Sequence, residues 1–130
     1  QAAVAATYQW SMAGGLGYVT GTYQHVGSRF TQVGDEDQSP TLSLVSFAPN
    51  TIGQPLTQAT FSFDPEMPAY DLLNLRLGLL KGKWDFSLYA NNLTDEVAYL
   101  ALDRERGLRA RVGYLTNQPR TFGLTARFAF

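Results

Sequence analysis

Cysteine is absent from the 130 residues, so the chain has no disulfide framework, no thiolate metal site and no cysteine nucleophile. Charge is scarce: charged residues make up 16% and the formal net charge is −1, which leaves no electrostatic footprint for nucleic acid. No apolar run approaches the roughly 20 residues a spanning helix needs, which excludes a helical membrane protein. Gln1 leads directly into strand-like sequence, without the charged and apolar regions of a signal peptide. No internal repeat at solenoid spacing occurs. What the chain does hold is 7 Tyr, 8 Phe, 2 Trp and 12 Gly among 45% hydrophobic residues, a β-rich composition at a length that fits one domain. The charge is uneven, acidic over 1–68, where Arg29 is the one basic residue, and basic over 69–130.

The main pattern is alternation. Phe122, Leu124, Ala126, Phe128 and Phe130 fall on one face of the last segment, with Thr121, Gly123, Thr125, Arg127 and Ala129 on the other. Leu73, Leu75, Leu77 and Leu79 alternate with Asn74, Arg76 and Gly78. Trp84, Phe86, Leu88 and Ala90 alternate with Asp85, Ser87, Tyr89 and Asn91. Near the start, Ala2, Val4, Ala6, Tyr8 and Trp10 alternate with Ala3, Ala5, Thr7 and Gln9. Successive strand side chains point to opposite sheet faces, so each segment is a strand with one apolar and one polar face. A further strand runs through 16–32, where Gly17, Gly21 and Gly27 blur which face is which. The one stretch open to a short helix is Ala98–Arg106.

Turn residues place the connections. Met12-Ala13-Gly14-Gly15 and Lys81-Gly82 are short turns. Two long connections follow, about 33–68 with five of the six prolines and about 95–118, which is charged and Arg-rich. Expected strands are therefore about 1–11, 16–32, 69–80, 83–93 and 119–130, joined by strictly alternating short and long connections. A soluble sandwich has no reason to gather its long loops at one end. Outer-membrane barrels have short periplasmic turns, long extracellular loops and spanning segments of about 10 residues with apolar side chains toward lipid. On that topology Trp10, Trp84, Phe128 and Phe130 share one membrane interface, where aromatic girdles sit. The expected fold is all-β, an antiparallel up-and-down transmembrane barrel. Five strands are too few to close one, so the chain reads as the last five strands of a larger barrel.

With Lys81-Gly82 as a two-residue loop, Leu79 faces Trp84, Leu77 faces Phe86, Leu75 faces Leu88 and Leu73 faces Ala90. Gly78 then meets Asp85, Arg76 meets Ser87 and Asn74 meets Tyr89. Leu73, Leu75, Leu77, Leu79, Trp84, Phe86 and Leu88 are accordingly expected to face lipid. Asn74, Arg76, Asp85, Ser87, Tyr89 and Arg127 are expected to face the lumen.

The stretch from Tyr70 to Gly78 (YDLLNLRLG), Trp84 to Glu96 (WDFSLYANNLTDE), Pro119 to Leu124 (PRTFGL) and the aromatic Phe130 resembles the C-terminal end of a TonB-dependent outer-membrane receptor. In that family N-N-L-T-D ends the penultimate strand and P-R-T-F-G begins the final one. Residues 18–32 fit the family more loosely, and 33–66 match nothing. The resemblance implies a barrel of about 22 strands around a plug domain. It also implies location in the outer membrane of a Gram-negative bacterium, and uptake of an iron chelate such as a siderophore, cobalamin or a glycan energised through TonB. Implied partners are outer-membrane lipid and lipopolysaccharide, the plug and remaining barrel strands, and the TonB complex through an N-terminal region this sequence does not contain. The barrel-assembly machinery would recognise Phe122, Leu124, Ala126, Phe128 and Phe130. No cofactor and no enzymatic activity are implied. The alternative is a small surface or adhesion barrel, or a soluble ligand-binding β-domain, without transport.

Other residues have plainer expectations. His25 and Ser28, three apart in a strand, point to opposite faces and do not pair for catalysis. One histidine assembles no metal site alone. Asp35-Glu36-Asp37 is expected to be a solvated loop tip rather than a cation-attracting cluster. Arg104, Arg106, Arg109, Arg111 and Arg120 suit either lipopolysaccharide phosphates or ion pairs with Asp95, Glu96, Asp103 and Glu105. Asn91 and Asn92 are expected to end a strand and shape the following loop.

Overall fold

A computed structural model describes residues 1–12, 14–38, 42–45, 60–105 and 111–130. Among the described residues, nine antiparallel strands and one 3₁₀ turn make up the regular structure: β1 (Ala2–Met12), β2 (Gly15–Val26), η1 (Glu36–Gln38), β3 (Leu42–Val45), β4 (Thr60–Phe63), β5 (Tyr70–Lys81), β6 (Trp84–Asn91), β7 (Tyr99–Glu105), β8 (Arg111–Thr116) and β9 (Thr121–Phe128). The chain is all-β, and none of its described helical segments is long and apolar enough to cross a membrane.

Two compact units form. The first, 1–26, 70–97 and 118–130, is a five-stranded sheet ordered β1-β2-β5-β6-β9, with β1 and β9 at its open edges. These are the five strands expected from the alternation, and each neighbour pair is antiparallel. The second, 27–69 and 98–117, contains the hairpins β3-β4 and β7-β8 and the bridge Arg29↔Met67.

The structure corrects the sequence expectations in four places. The strand expected over 16–32 ends at Val26, because Gly27 and Ser28 leave the ladder. Each long connection, expected as a loop, contains a two-stranded antiparallel pair among its described residues. In place of the short helix open over Ala98–Arg106, Tyr99–Glu105 is a strand in which Arg104 pairs with Val112 and Glu105 with Arg111, and Arg106 lies outside the described residues. Finally, the β5-β6 loop is Gly82-Lys83 rather than Lys81-Gly82. Gly82 has φ 58° and Lys83 no positive φ, the signature of a type II′ turn with glycine first. The register therefore moves by two residues: Leu75 faces Ala90, Leu77 faces Leu88, Leu79 faces Phe86 and Lys81 faces Trp84. A shift of two preserves parity, so no side chain changes face.

Candidate functional site

The two faces of the five-stranded sheet are the feature with functional content. On one face lie the even positions of β1, the odd positions of β2 and β5, and the even positions of β6 and β9. Leu73, Leu75, Leu77, Leu79, Trp84, Phe86 and Leu88 all sit there, beside Val4, Tyr8, Phe122 and Leu124. Nothing in the sheet unit covers it: Leu77 is 48% exposed, Leu88 53%, Phe122 67% and Leu124 79%. In the sheet unit, Val26 and Tyr70 are the buried hydrophobic residues among those described, both at the long-connection end.

The limits of this apolar face are polar at one end and aromatic at the other. At the long-connection end, Asp71 Oδ1 accepts from the Tyr23 hydroxyl at 2.6 Å and lies 2.8 Å from His25 Nδ1. At the turn end, Trp84 stacks on Phe86 with ring centres 5.3 Å apart and tilts against Phe128 at 4.8 Å, while Phe128 meets Phe130 edge-on at 5.4 Å. Tyr8 stacks on Trp10 at 5.9 Å in the same region of β1. Asp71 and Lys81 are ten positions apart on β5. At ~3.3 Å per residue that separation is about 33 Å along the strand, which the ~45° tilt of membrane-barrel strands would reduce to a height of about 23 Å.

The opposite face is polar and internally bonded. Tyr18 donates to Asp85 Oδ1 at 2.9 Å. Arg76 donates through Nε and Nη2 to Ser87 Oγ at 3.0 and 2.8 Å, Asn74 Nδ2 to Thr22 Oγ1 at 3.1 Å, and Thr7 meets Thr20 at 2.9 Å. Asn74, Arg76, Asp85, Ser87, Tyr89 and Arg127 therefore share one face. Around Arg76, Tyr89 and Arg127 it holds a shallow depression of about 360 Å³. Tyr18, Thr20, Thr22 and Gln24 also belong here, which settles the facing of β2. A usable signal was present in the sequence: the Tyr18 ring lies over Gly78 and the Tyr89 ring over Gly123, each a register pair in which an added Cβ would collide with the ring.

The two halves of the sequence signature touch each other. Asn92, buried and in the left-handed region at φ 50°, donates from Nδ2 to the carbonyls of Glu96 and Gln118 at 2.9 and 3.0 Å. Its Oδ1 accepts from the Glu96 amide at 2.9 Å, and its own amide donates to Asn74 Oδ1 at 2.8 Å. Asp95 Oδ1 accepts from the Arg120 amide at 2.9 Å, with the guanidinium 3.8 Å from Oδ2. N-N-L-T-D thus fastens the end of β6 to the P-R-T segment that starts β9, and Asn92 has the loop-shaping place expected of it. The chain matches no protein-family model, no curated protein and no solved structure.

In the second unit one expectation fails. Asp35 is not at a solvated tip: it is 1% exposed, and its Oδ1 lies 2.6 Å from Arg104 Nη2, which also donates to Gln32 Oε1. Glu36 and Asp37 do remain exposed. Arg29 Nη2 reaches the carbonyls of Tyr99 and Leu100 at 2.9 and 3.2 Å. The two long connections are therefore tied to each other. Burial, with Tyr99 and Asp64 nearby, raises the Tyr114 phenol above its ordinary range. Arg106 and Arg109 lie outside the described residues. His25 binds Asp71 rather than Ser28, and no group of three or more metal-ligating side chains occurs among the described residues.

Proposed function

We propose that this chain forms the C-terminal wall of a TonB-dependent outer-membrane receptor, taking part in uptake of an iron chelate, cobalamin or a glycan. One observation carries the reading. A meander of five antiparallel strands presents an uncovered apolar face, bounded by an aromatic row, with a hydrogen-bonded polar face behind it. A water-soluble sheet hides its apolar face against a second layer, and this sheet unit has none. In the proposed setting the apolar face meets lipid and the polar face lines the lumen and meets the plug. The remaining barrel strands complete the β1 and β9 edges, which in lipid would otherwise leave backbone groups unsatisfied. Strand β9 is the segment offered to the barrel-assembly machinery, and lipopolysaccharide surrounds the long-connection end.

Topology tests this on intact cells producing the full receptor. A cysteine at Glu36, exposed in η1, is expected to react with an impermeant thiol reagent, and one at Lys83 only after the outer membrane is permeabilised. Labelling of Lys83→Cys but not Glu36→Cys on intact cells would invert the topology. Cargo uptake unchanged by loss of TonB would remove the transport class.

A further inference from the structure

The turn end of the apolar face carries two cations. Lys81, the last residue of β5, stands on the apolar face opposite Trp84. Lys83, in the turn, holds its Nζ 5.9 Å from the centre of the Phe128 ring. Around them Trp84, Phe86, Phe128 and Phe130 form a continuous run of ring contacts.

Among the described residues, neither lysine forms an ion pair with a side-chain carboxylate. Among the described residues of the sheet, the carboxylate on the apolar face is Asp71, ten positions away at the other end and engaged with Tyr23 and His25. Asp85, nearest in sequence, points to the polar face and binds Tyr18. Two ammonium groups thus stand at the rim of an apolar surface, beside aromatic rings of the kind that settle at headgroup depth.

We propose that Lys81 and Lys83, framed by Trp84 and Phe128, dock the phosphodiester of an anionic phospholipid in the leaflet at the turn end. The acyl chains would then lie along the exposed leucine and phenylalanine rows. An ammonium offers three donors to phosphate oxygens. Two such groups without a paired side-chain carboxylate favour a headgroup of net negative charge, because the ammonium of phosphatidylethanolamine would oppose them. The proposal rests on the membrane reading above.

The test uses the full receptor, extracted from membranes in mild detergent and titrated with phosphatidylglycerol or phosphatidylethanolamine, with bound lipid counted by native mass spectrometry. The parent is expected to retain phosphatidylglycerol over phosphatidylethanolamine by about thirtyfold, or roughly fivefold per lysine. Lys81→Gln/Lys83→Gln is expected to lose that preference at an unchanged melting temperature, and Lys81→Arg/Lys83→Arg to keep it. Lipid uptake without headgroup preference, or a preference that survives the double glutamine variant, overturns the proposal and leaves the membrane reading standing. A protein that stays in the soluble fraction and retains neither lipid overturns both.

Discussion

Asn92 concentrates more structure than any neighbour of its size. Its side chain makes three hydrogen bonds, its amide makes a fourth, and its backbone holds a conformation that asparagine tolerates and alanine does not. Asn92→Ala is therefore expected to cost about 2–4 kcal/mol, from buried groups left unpaired plus the strained φ. Asn92→Gly loses the same side-chain bonds but relieves the backbone, so its cost should be lower by about 1 kcal/mol. Equilibrium unfolding in lipid or detergent reads both, and equal costs would mean the φ contributes nothing. The asparagines stood out in the sequence, yet the side chain's partners Glu96 and Gln118 did not, because nothing local says which carbonyls an amide will reach. Asp35 shows the same limit more sharply. A run of three acids is ordinarily solvated, and the arginine that buries this one lies 69 residues away.

Strand faces were readable because period two is a local property, and an error of two residues in register leaves it intact. Hence the strand residues expected to share a sheet face do share one, although the β5-β6 pairing moved. The short hairpins were not readable. β3 and β4 have four residues each in a proline-rich stretch, and β7 changes register between Tyr99 and Ala101, which breaks the alternation that would have revealed it. Face assignment predicts the outcome of charge insertion. Leu88→Arg, at the middle of the apolar face, should cost about 2–4 kcal/mol in a bilayer. Gln9→Arg, on the exposed polar face of β1, should cost less than about 0.5 kcal/mol. Ser87 would be a poor control, being 5% exposed and the acceptor of both Arg76 bonds. Equal losses at Leu88 and Gln9 in an unfolding titration would remove the face assignment. In the second unit, Asp35→Ala strands the buried Arg104 guanidinium. It is expected to take about 3–5 kcal/mol from local stability, read as faster amide exchange along β7 with β5 unchanged.

At the scale of the molecule, the sheet unit has an apolar face with no layer against it and two long edges with no neighbour. The 130-residue chain produced alone is expected to aggregate in plain buffer and to become monodisperse only in detergent. Sedimentation in both media checks this, and a cooperatively melting monomer in plain buffer would favour the soluble alternative. Both tryptophans, Trp10 and Trp84, stand on the apolar face toward the turn end. On the proposed membrane reading, indole emission from this chain would therefore come from one leaflet. Bromine atoms moved stepwise along lipid acyl chains should dim it most near the headgroups, making the chain an optical gauge for one leaflet. Replacing both indoles by phenylalanine and placing one at Tyr23 would turn the same gauge to face the other leaflet.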